Sequence, residues 1–129
     1  MRYLGVDFGG KRVGIAVSDE SGSFAFPLTV LSNSEDLLDE VGKICKENEV
    51  EEIVVGESMD LSFKENDIMK EITPFVGSLK RKLRLPVHMH PEFLTSQEAR
   101  RLQGKNKMND ASAAALILKS YLDTNRKIE

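Results

Sequence analysis

A hairpin signal near the start of the chain constrains the fold more than any other stretch. Residues Tyr3 to Ser18 read Y-L-G-V-D-F-G-G-K-R-V-G-I-A-V-S, two short apolar runs around a pair of glycines. Apolar runs joined by a glycine-containing turn are typical of a β-hairpin. Asp7 ends the first run, where a buried strand reaches the surface. A carboxylate there either serves the turn, as aspartate often does, or places a metal or a phosphate.

The rest of the chain predicts alternating strands and helices. A third strand, Phe24–Leu31, contains Pro27 and is therefore expected at an edge of the sheet. The elements predicted after it are a helix opened by a capping box at Ser32 and Glu35, a strand at Glu51–Gly56, a polar loop at Glu57–Asn66, a helix over Ile68–Leu83 that Pro74 kinks or restarts, a strand at Leu85–Met89, a loop at His90–Leu94, a short helix capped by Thr95–Glu98, and a last helix capped by Asn109 and Asp110.

This order predicts an α/β fold with a mixed five-stranded sheet flanked by helices. The first three strands form an antiparallel meander, and the fourth and fifth strands extend it in parallel, because strands that follow crossover helices lie parallel. The first and fourth strands are expected to be neighbours. A length of 129 residues predicts a single domain over residues 1–129, with residues 124–129 as a frayed tail.

Composition limits the class of protein and its partners. The 40% hydrophobic and 30% charged residues are typical of a soluble globular protein, and no apolar run approaches the length of a membrane helix. The single cysteine, Cys45, excludes an internal disulfide and fits a reducing cytoplasm. A net charge of −3 means that a nucleic acid would have to be met by a local basic patch.

Four acidic residues are predicted to converge on one edge of the sheet. Asp7 ends the first strand, Glu57 follows the fourth, Glu92 follows the fifth, and Asp110 opens the last helix. Carboxylates that meet in this way repel one another unless one is protonated or a divalent cation neutralises them. Ligands that are all oxygen favour Mg²⁺ or Mn²⁺, and such ions on carboxylates suit hydrolysis of a phosphodiester by water.

Basic residues stand near these acids in the sequence. Lys11 and Arg12 follow the first strand. The stretch from Ala99 to Asn109 has no acidic residue and is predicted to be largely loop; its cations are Arg100, Arg101, Lys105 and Lys107. Such a run is either a solvated surface or a patch that binds a phosphate backbone.

Other chemistries find little support in the sequence. His88 and His90 have strand spacing but lack the third ligand that zinc usually needs. The serines have no evident base partner, and G-E-S-M-D around Ser58 differs from G-x-S-x-G. There is no Walker A motif and no G-x-G-x-x-G.

With these residues in place, the chain resembles the YqgF family, also called RuvX or putative Holliday junction resolvases. The resemblance runs from Tyr3 to Tyr121 and is carried by four motifs: L-G-V-D-F-G-G-K-R-V-G-I-A-V-S-D at Leu4–Asp19, I-V-V-G at Ile53–Gly56, E-F-L-T-S-Q-E-A at Glu92–Ala99, and D-A-S-A-A-A-L-I-L at Asp110–Leu118. It implies an RNase H-like fold and a cytoplasmic, metal-dependent nuclease that processes the 5′ end of pre-16S rRNA.

By position, Asp7, Glu92 and Asp110 match the family's acids, and Lys11 and Arg12 match its basic pair. The chain departs from the common G-L-P-x-N after the fourth strand and from D-E-R-L-T, where Pro91 and Phe93 replace an acid and an arginine. In RNase H-like nucleases generally, an acid at the end of the fourth strand is a metal ligand. Glu57 is therefore a candidate to replace or supplement what the other loop has lost.

Three further functions stay open from the sequence. One is a Holliday junction resolvase acting on four-way DNA, which requires a symmetric dimer; the sequence does not decide between monomer and homodimer. Another is a non-catalytic RNA-binding or ribosome-assembly factor on the same fold. An ATP-binding module of the actin and Hsp70 kind also begins with such a hairpin, but it needs two domains, and 129 residues supply one.

Overall fold

The computed structural model describes residues 1–59, 68–93 and 108–126, apart from the side chains of residues 58, 59, 92, 93, 108, 109, 125 and 126. Its strands are β1 (Arg2–Phe8), β2 (Arg12–Ser18), β3 (Ala25–Ser32), β4 (Val50–Met59) and β5 (Val87–Phe93). Its helices are α1 (Leu37–Glu47), α2 (Met69–Leu83) and α3 (Met108–Arg126). The predicted short helix after Thr95 and the basic stretch lie outside the described residues.

The strands form one five-stranded sheet in the order β3-β2-β1-β4-β5. The pairs β1–β2 and β2–β3 are antiparallel, whereas β1–β4 and β4–β5 are parallel. The predicted mixed sheet, the edge position of β3 and the contact between the first and fourth strands are confirmed. The carboxyl ends of β1, β4 and β5 therefore point to the same edge of the sheet.

The two faces of the sheet are covered by different helices, because alternate residues of a strand point to opposite sides. On one face, Leu4, Val6, Ile53 and Val55 join a large apolar core with residues of α1 and α2. On the other face, Ala16 and Val54 pack against small and apolar residues of α3, among them Ala114 and Leu118. We call these the α1/α2 face and the α3 face.

Several predicted boundaries are wrong. Ser32 is the last residue of β3 rather than a helix cap, and α1 starts after Asp36, which makes no side-chain cap hydrogen bond. Helix α2 runs continuously past Pro74, so the helix does not restart there. Helix α3 begins at Met108, which puts Asp110 inside its first turn instead of at its cap. It extends to Arg126, and the fraying predicted for residues 124–129 stays a prediction.

The loops predicted at Glu57 and His90 also begin later than expected. β4 continues to Met59 and β5 to Phe93, with Glu57 paired to Pro91 and Ser58 to Glu92. Strand pairing uses backbone groups, so these polar side chains do not end it, and a proline is tolerated on an edge strand such as β5. Within the described ranges, no helix is both long and apolar enough to cross a membrane.

Candidate metal centre

Asp7 lies on the α3 face of the sheet, one residue before the end of β1. The alternation along β1 puts Tyr3, Gly5 and Asp7 on this face, whereas Leu4, Val6 and Phe8 contact the opposite core. Across β2, Asp7 is paired with Gly14. On the β4 side, the pairing ends one residue earlier, with Val6 opposite Val55. The neighbour of the carboxylate across the hairpin therefore lacks a side chain.

Two glycines of the hairpin, Gly5 and Gly14, let the first half of α3 lie directly on the sheet. A Cβ added at Gly14 would stand 1.9 Å from the carbonyl oxygen of Asp110, and a Cβ at Gly5 would stand 2.9 Å from that of Ala114. No side chain fits in either space. A glycine inside a strand commonly marks such a close backbone approach. The approach brings the first turn of α3, with Asp110, over Asp7.

The Asp110 carboxylate is close enough to perturb the ionisation of Asp7. The pKa of Asp7 is raised to about 6, first because burial disfavours its charged form and then because the negative charge of Asp110 opposes ionisation. A partly buried acid beside a second acid lowers the stability of the fold. Such a pair is typical of a functional site, here one that binds a cation.

One oxygen of the Asp110 carboxylate lacks a well-aligned hydrogen bond. Its Oδ2 atom is buried, and Nε of Arg12 lies 2.9 Å from it, within ion-pair distance. That oxygen nevertheless accepts no hydrogen bond of acceptable geometry, and it is the one buried side-chain oxygen or nitrogen left in this state across the described parts of the chain. The Arg12 side chain is 58% exposed, so solvent screens this ion pair and it contributes little. A divalent cation would compete with Arg12 for this oxygen.

Glu57 does not join the pair. It lies one residue beyond Gly56 on β4, so the alternation turns it to the α1/α2 face with Val55, away from Asp7. Consistently, no three Asp, Glu, His or Cys side chains in the described ranges stand close enough together to hold a metal. The metal role predicted for Glu57 stays a prediction that this geometry does not support.

The Glu92 position suits a metal ligand better than that of Glu57. It is paired with Ser58 near the end of β5 and stands two residues after His90. His90 contacts Ser120 of α3, so the alternation assigns the Glu92 position to the α3 face, the face of Asp7 and Asp110. Its side chain lies outside the described residues, and its predicted role as a metal ligand stays a prediction.

The turn between β1 and β2 presents the first pair of predicted phosphate contacts beside the carboxylates. The backbone N–H of Gly9 donates to the carbonyl of Arg12 at 3.0 Å, which closes the turn. The Asn33 side-chain amide donates to the Gly9 carbonyl at 2.9 Å. Lys11 and Arg12 are exposed on this braced turn. The other predicted contacts, Arg100, Arg101, Lys105 and Lys107, lie outside the described residues.

Comparison with known proteins gives the chain a family. Residues 1–124 match the family model described as RuvX, Holliday junction resolvase. The chain belongs to this RuvX family. A relative from Bacteroides fragilis is 38% identical over 136 residues, covering 97% of this chain and 98% of its own. A second, from Maridesulfovibrio salexigens, is 34% identical over 132 residues, covering 95% and 98%. Both are named "Putative pre-16S rRNA nuclease".

Solved structures agree on the fold. RuvC of T. thermophilus in complex with a Holliday junction substrate aligns with a TM-score of 0.60 at 16% identity, covering 98% of this chain and 96% of that one. The fowlpox virus resolvase aligns with a TM-score of 0.58 at 11% identity, covering 97% and 99%. At these identities the likeness concerns the fold alone. The RNase H-like fold implied by the resemblance is confirmed.

Two features of this RuvX family site escaped the sequence analysis. The first is Gly14, whose lack of a Cβ admits the Asp110 backbone; its signal was a glycine in the middle of an otherwise apolar strand, on the same alternation as Asp7 across the hairpin. The second is Asn33, which braces the Gly9 turn from the end of β3. Nothing in the local sequence around Asn33 indicated that contact.

Proposed function

We propose that this protein is a metal-dependent nuclease that hydrolyses nucleic-acid phosphodiesters, with Asp7 and Asp110 as ligands of Mg²⁺ or Mn²⁺ and Glu92 as a further ligand. The observation that carries this proposal is the pair of partly buried carboxylates, in which Oδ2 of Asp110 has an ion-pair partner but accepts no well-aligned hydrogen bond. Hard oxygen donors without cysteine or histidine suit these two ions better than zinc. The two relatives are named "Putative pre-16S rRNA nuclease", which agrees with hydrolysis of phosphodiesters.

Asp7 and Asp110 would hold the ion, and the turn cations would hold the substrate. Asp7 is fixed on a central strand and Asp110 on the first turn of a packed helix, so both oxygens are held with little slack. Burial and the nearby Asp110 charge raise the pKa of Asp7, and its ionised form would be held as a ligand when a bound cation offset both. A bound divalent ion supplies activation of a water molecule and stabilisation of the leaving oxygen. Lys11 and Arg12, exposed on the braced turn, would meet the phosphate backbone.

For the substrate we propose the 5′ region of pre-16S rRNA, which places the protein in ribosome biogenesis and in the cytoplasm. Support comes from the two relatives, whose names state pre-16S rRNA and whose lengths the chain matches almost completely. A four-way DNA junction is the second candidate, because the family description names that activity. Cleavage of a junction at two symmetric points would require a homodimer.

A cleavage assay separates these functions. The purified protein is incubated with a 5′-extended 16S rRNA precursor or with a four-way DNA junction, in Mg²⁺, in Mn²⁺ or in EDTA. We expect metal-dependent cleavage of the RNA and none in EDTA. Cleavage of the junction alone would favour the resolvase. Binding of RNA without cleavage of either substrate, in both metals, would contradict the nuclease and favour a ribosome-assembly factor.

The exposed Lys11 of the turn between β1 and β2 gives a quantitative prediction. Replacing Lys11 by glutamine is expected to weaken RNA binding at every sequence and to reduce the slope of log affinity against log salt by about 0.7–0.9, the loss of one phosphate contact. The change is measured by fluorescence anisotropy between low and physiological salt. Lys43→Gln, an exposed lysine on α1 across the sheet, serves as the control and should leave the slope unchanged. Equal slopes for Lys11→Gln and the unaltered protein would remove Lys11 from the interface.

A further inference from the structure

Helix α3 touches the sheet at two places of different character. Its first part lies on β1 and β2, where Gly5 and Gly14 admit its backbone and where Ala114 and Leu118 pack. Its later part reaches the edge strand β5 through Ser120 and Tyr121. Apolar packing is non-directional, so the first contact alone leaves the direction of the helix weakly fixed. Hydrogen bonds and ring contacts are directional and can fix it.

The contact with β5 is made by two histidines that the proposed chemistry does not use. Nε2 of His90 lies 2.8 Å from Oγ of Ser120. The ring of Tyr121 stacks on His88 at 5.3 Å and 24°, and it meets the edge of His90 at 5.9 Å and 88°. His88 is held in turn by Glu52 of β4, whose carboxylate contacts its Nε2. The later turns of α3 are thus tied to β5 and, through Glu52, to β4.

The same two elements carry the two sides of the proposed cation site. Asp110 lies ten residues before Ser120 on α3, a distance of about 15 Å along a rigid helix. The Glu92 position follows His90 by two residues, about 7 Å along the strand. A tie between Ser120 and His90 therefore sets how the helix that bears Asp110 lies relative to the strand that bears Glu92. Gly14 fixes one end of α3, and this tie helps to fix the other, together with the contact of Tyr121 with Tyr3 and the burial of Leu122.

We infer that His90 and Ser120 are positioning residues for the cation site, because their contact sets the placement of Asp110 relative to Glu92. His88 and Tyr121 support the contact from the side. This role rests on the proposed function, since it requires that Asp110 and Glu92 share an ion. It predicts that loss of the distant Ser120 hydroxyl weakens cation binding although Ser120 is exposed and about three helical turns from Asp110.

The test is Mn²⁺ affinity, measured by calorimetry on the full chain. Ser120→Ala and His90→Ala should each raise the Mn²⁺ dissociation constant about tenfold, the lower end of effects for groups behind a metal ligand. The double variant should do no more, because both changes remove one contact. Ser120→Thr keeps the hydroxyl and should restore the affinity. Thr124→Ala removes a neighbouring hydroxyl that bonds the Ser120 carbonyl, and it should change the constant less than twofold.

The outcomes separate this role from its alternatives. Unchanged Mn²⁺ affinity in Ser120→Ala would overturn the inference and leave the proposed nuclease intact. A loss in His90→Ala alone would mean that His90 acts at the cation site itself, which also overturns it. Failure of the unaltered protein to bind Mn²⁺ would contradict the proposed function, and this role with it. Hydrogen exchange of the β5 amides without metal checks the contact itself: about fivefold faster exchange in Ser120→Ala is expected from the loss of one net hydrogen bond.

Discussion

In the absence of divalent ions, Asp7→Asn is expected to be more stable than the unaltered protein at pH 8, by about 1–3 kcal/mol of unfolding free energy. The pKa of Asp7 is raised to about 6 in the fold by burial and by the nearby Asp110 carboxylate. Its ionised form therefore opposes folding at pH 8. Asparagine keeps the shape of the side chain and removes the charge. An acid that costs stability is typical of a functional site.

The pH dependence follows from the sign of this shift. The unfolded chain loses the Asp7 proton near pH 3.9 and the folded chain near pH 6, so the folded state binds more protons in between. Stability due to Asp7 is therefore full below about pH 4 and is lost as the pH rises through 6. The advantage of Asp7→Asn should vanish near pH 4. Urea unfolding of both proteins at pH 4, 6 and 8 measures it; an advantage that is equal at all three pH values would contradict the assigned cause.

The same substitution should abolish cleavage. Loss of a charged group from a catalytic constellation typically lowers the rate by a factor on the order of a thousand or more. Saturating Mg²⁺ should also reduce or remove the stability advantage of the variant, because the unaltered protein gains more binding energy, about 2.7 kcal/mol at a hundredfold excess over its dissociation constant. A variant that is more stable without metal, loses this advantage with it, and is inactive would link the raised pKa of Asp7 to its function.

Gly14→Ala is expected to destabilise the protein strongly. The new Cβ would lie 1.9 Å from the Asp110 carbonyl oxygen and 3.0 Å from the Ala111 nitrogen, so a backbone has to move. Overpacking typically costs about 1–3 kcal/mol, and a clash with backbone places this change at or above the top of that range. The first turn of α3 would be pushed from the sheet, taking Asp110 away from Asp7.

Gly10 offers a matched control for the substitution at Gly14. A Cβ at Gly10 meets no atom within 4 Å, so Gly10→Ala adds the same methyl group four residues away without a clash. We expect Gly14→Ala to lose about 3 kcal/mol and most of its Mn²⁺ affinity, whereas Gly10→Ala should stay within about 0.5 kcal/mol of the unaltered protein. Denaturant unfolding and Mn²⁺ titration measure both. Equal stability of the two variants would mean that α3 does not lie against β2 as described.

The sheet could be predicted from the sequence because it rests on local signals and general topology. The apolar runs around Gly9 and Gly10 identify the hairpin, Pro27 identifies the edge strand, and crossover helices impose parallel pairing. Convergence of Asp7 and Asp110 followed from the same reasoning, since a strand end and a helix start meet at one edge.

The face of each acid could not be predicted in the same way. A strand has a period of two, so a change of one residue reverses the side on which an acid lies. Placing Glu57 just after a strand gave it no defined side, whereas its position inside β4 turns it away from Asp7. The close approach at Gly14 and the bracing by Asn33 depend on contacts between segments far apart in the chain, which local patterns do not encode.

Calorimetric titration with Mn²⁺ tests the central claim most directly, namely that Asp7 and Asp110 hold a divalent cation. The claim predicts that the unaltered protein binds Mn²⁺, that Asp7→Asn and Asp110→Asn each lose at least about tenfold in affinity, and that Glu57→Gln binds as the unaltered protein does. Retention of full affinity in Asp7→Asn or Asp110→Asn, or its loss in Glu57→Gln alone, would contradict the account.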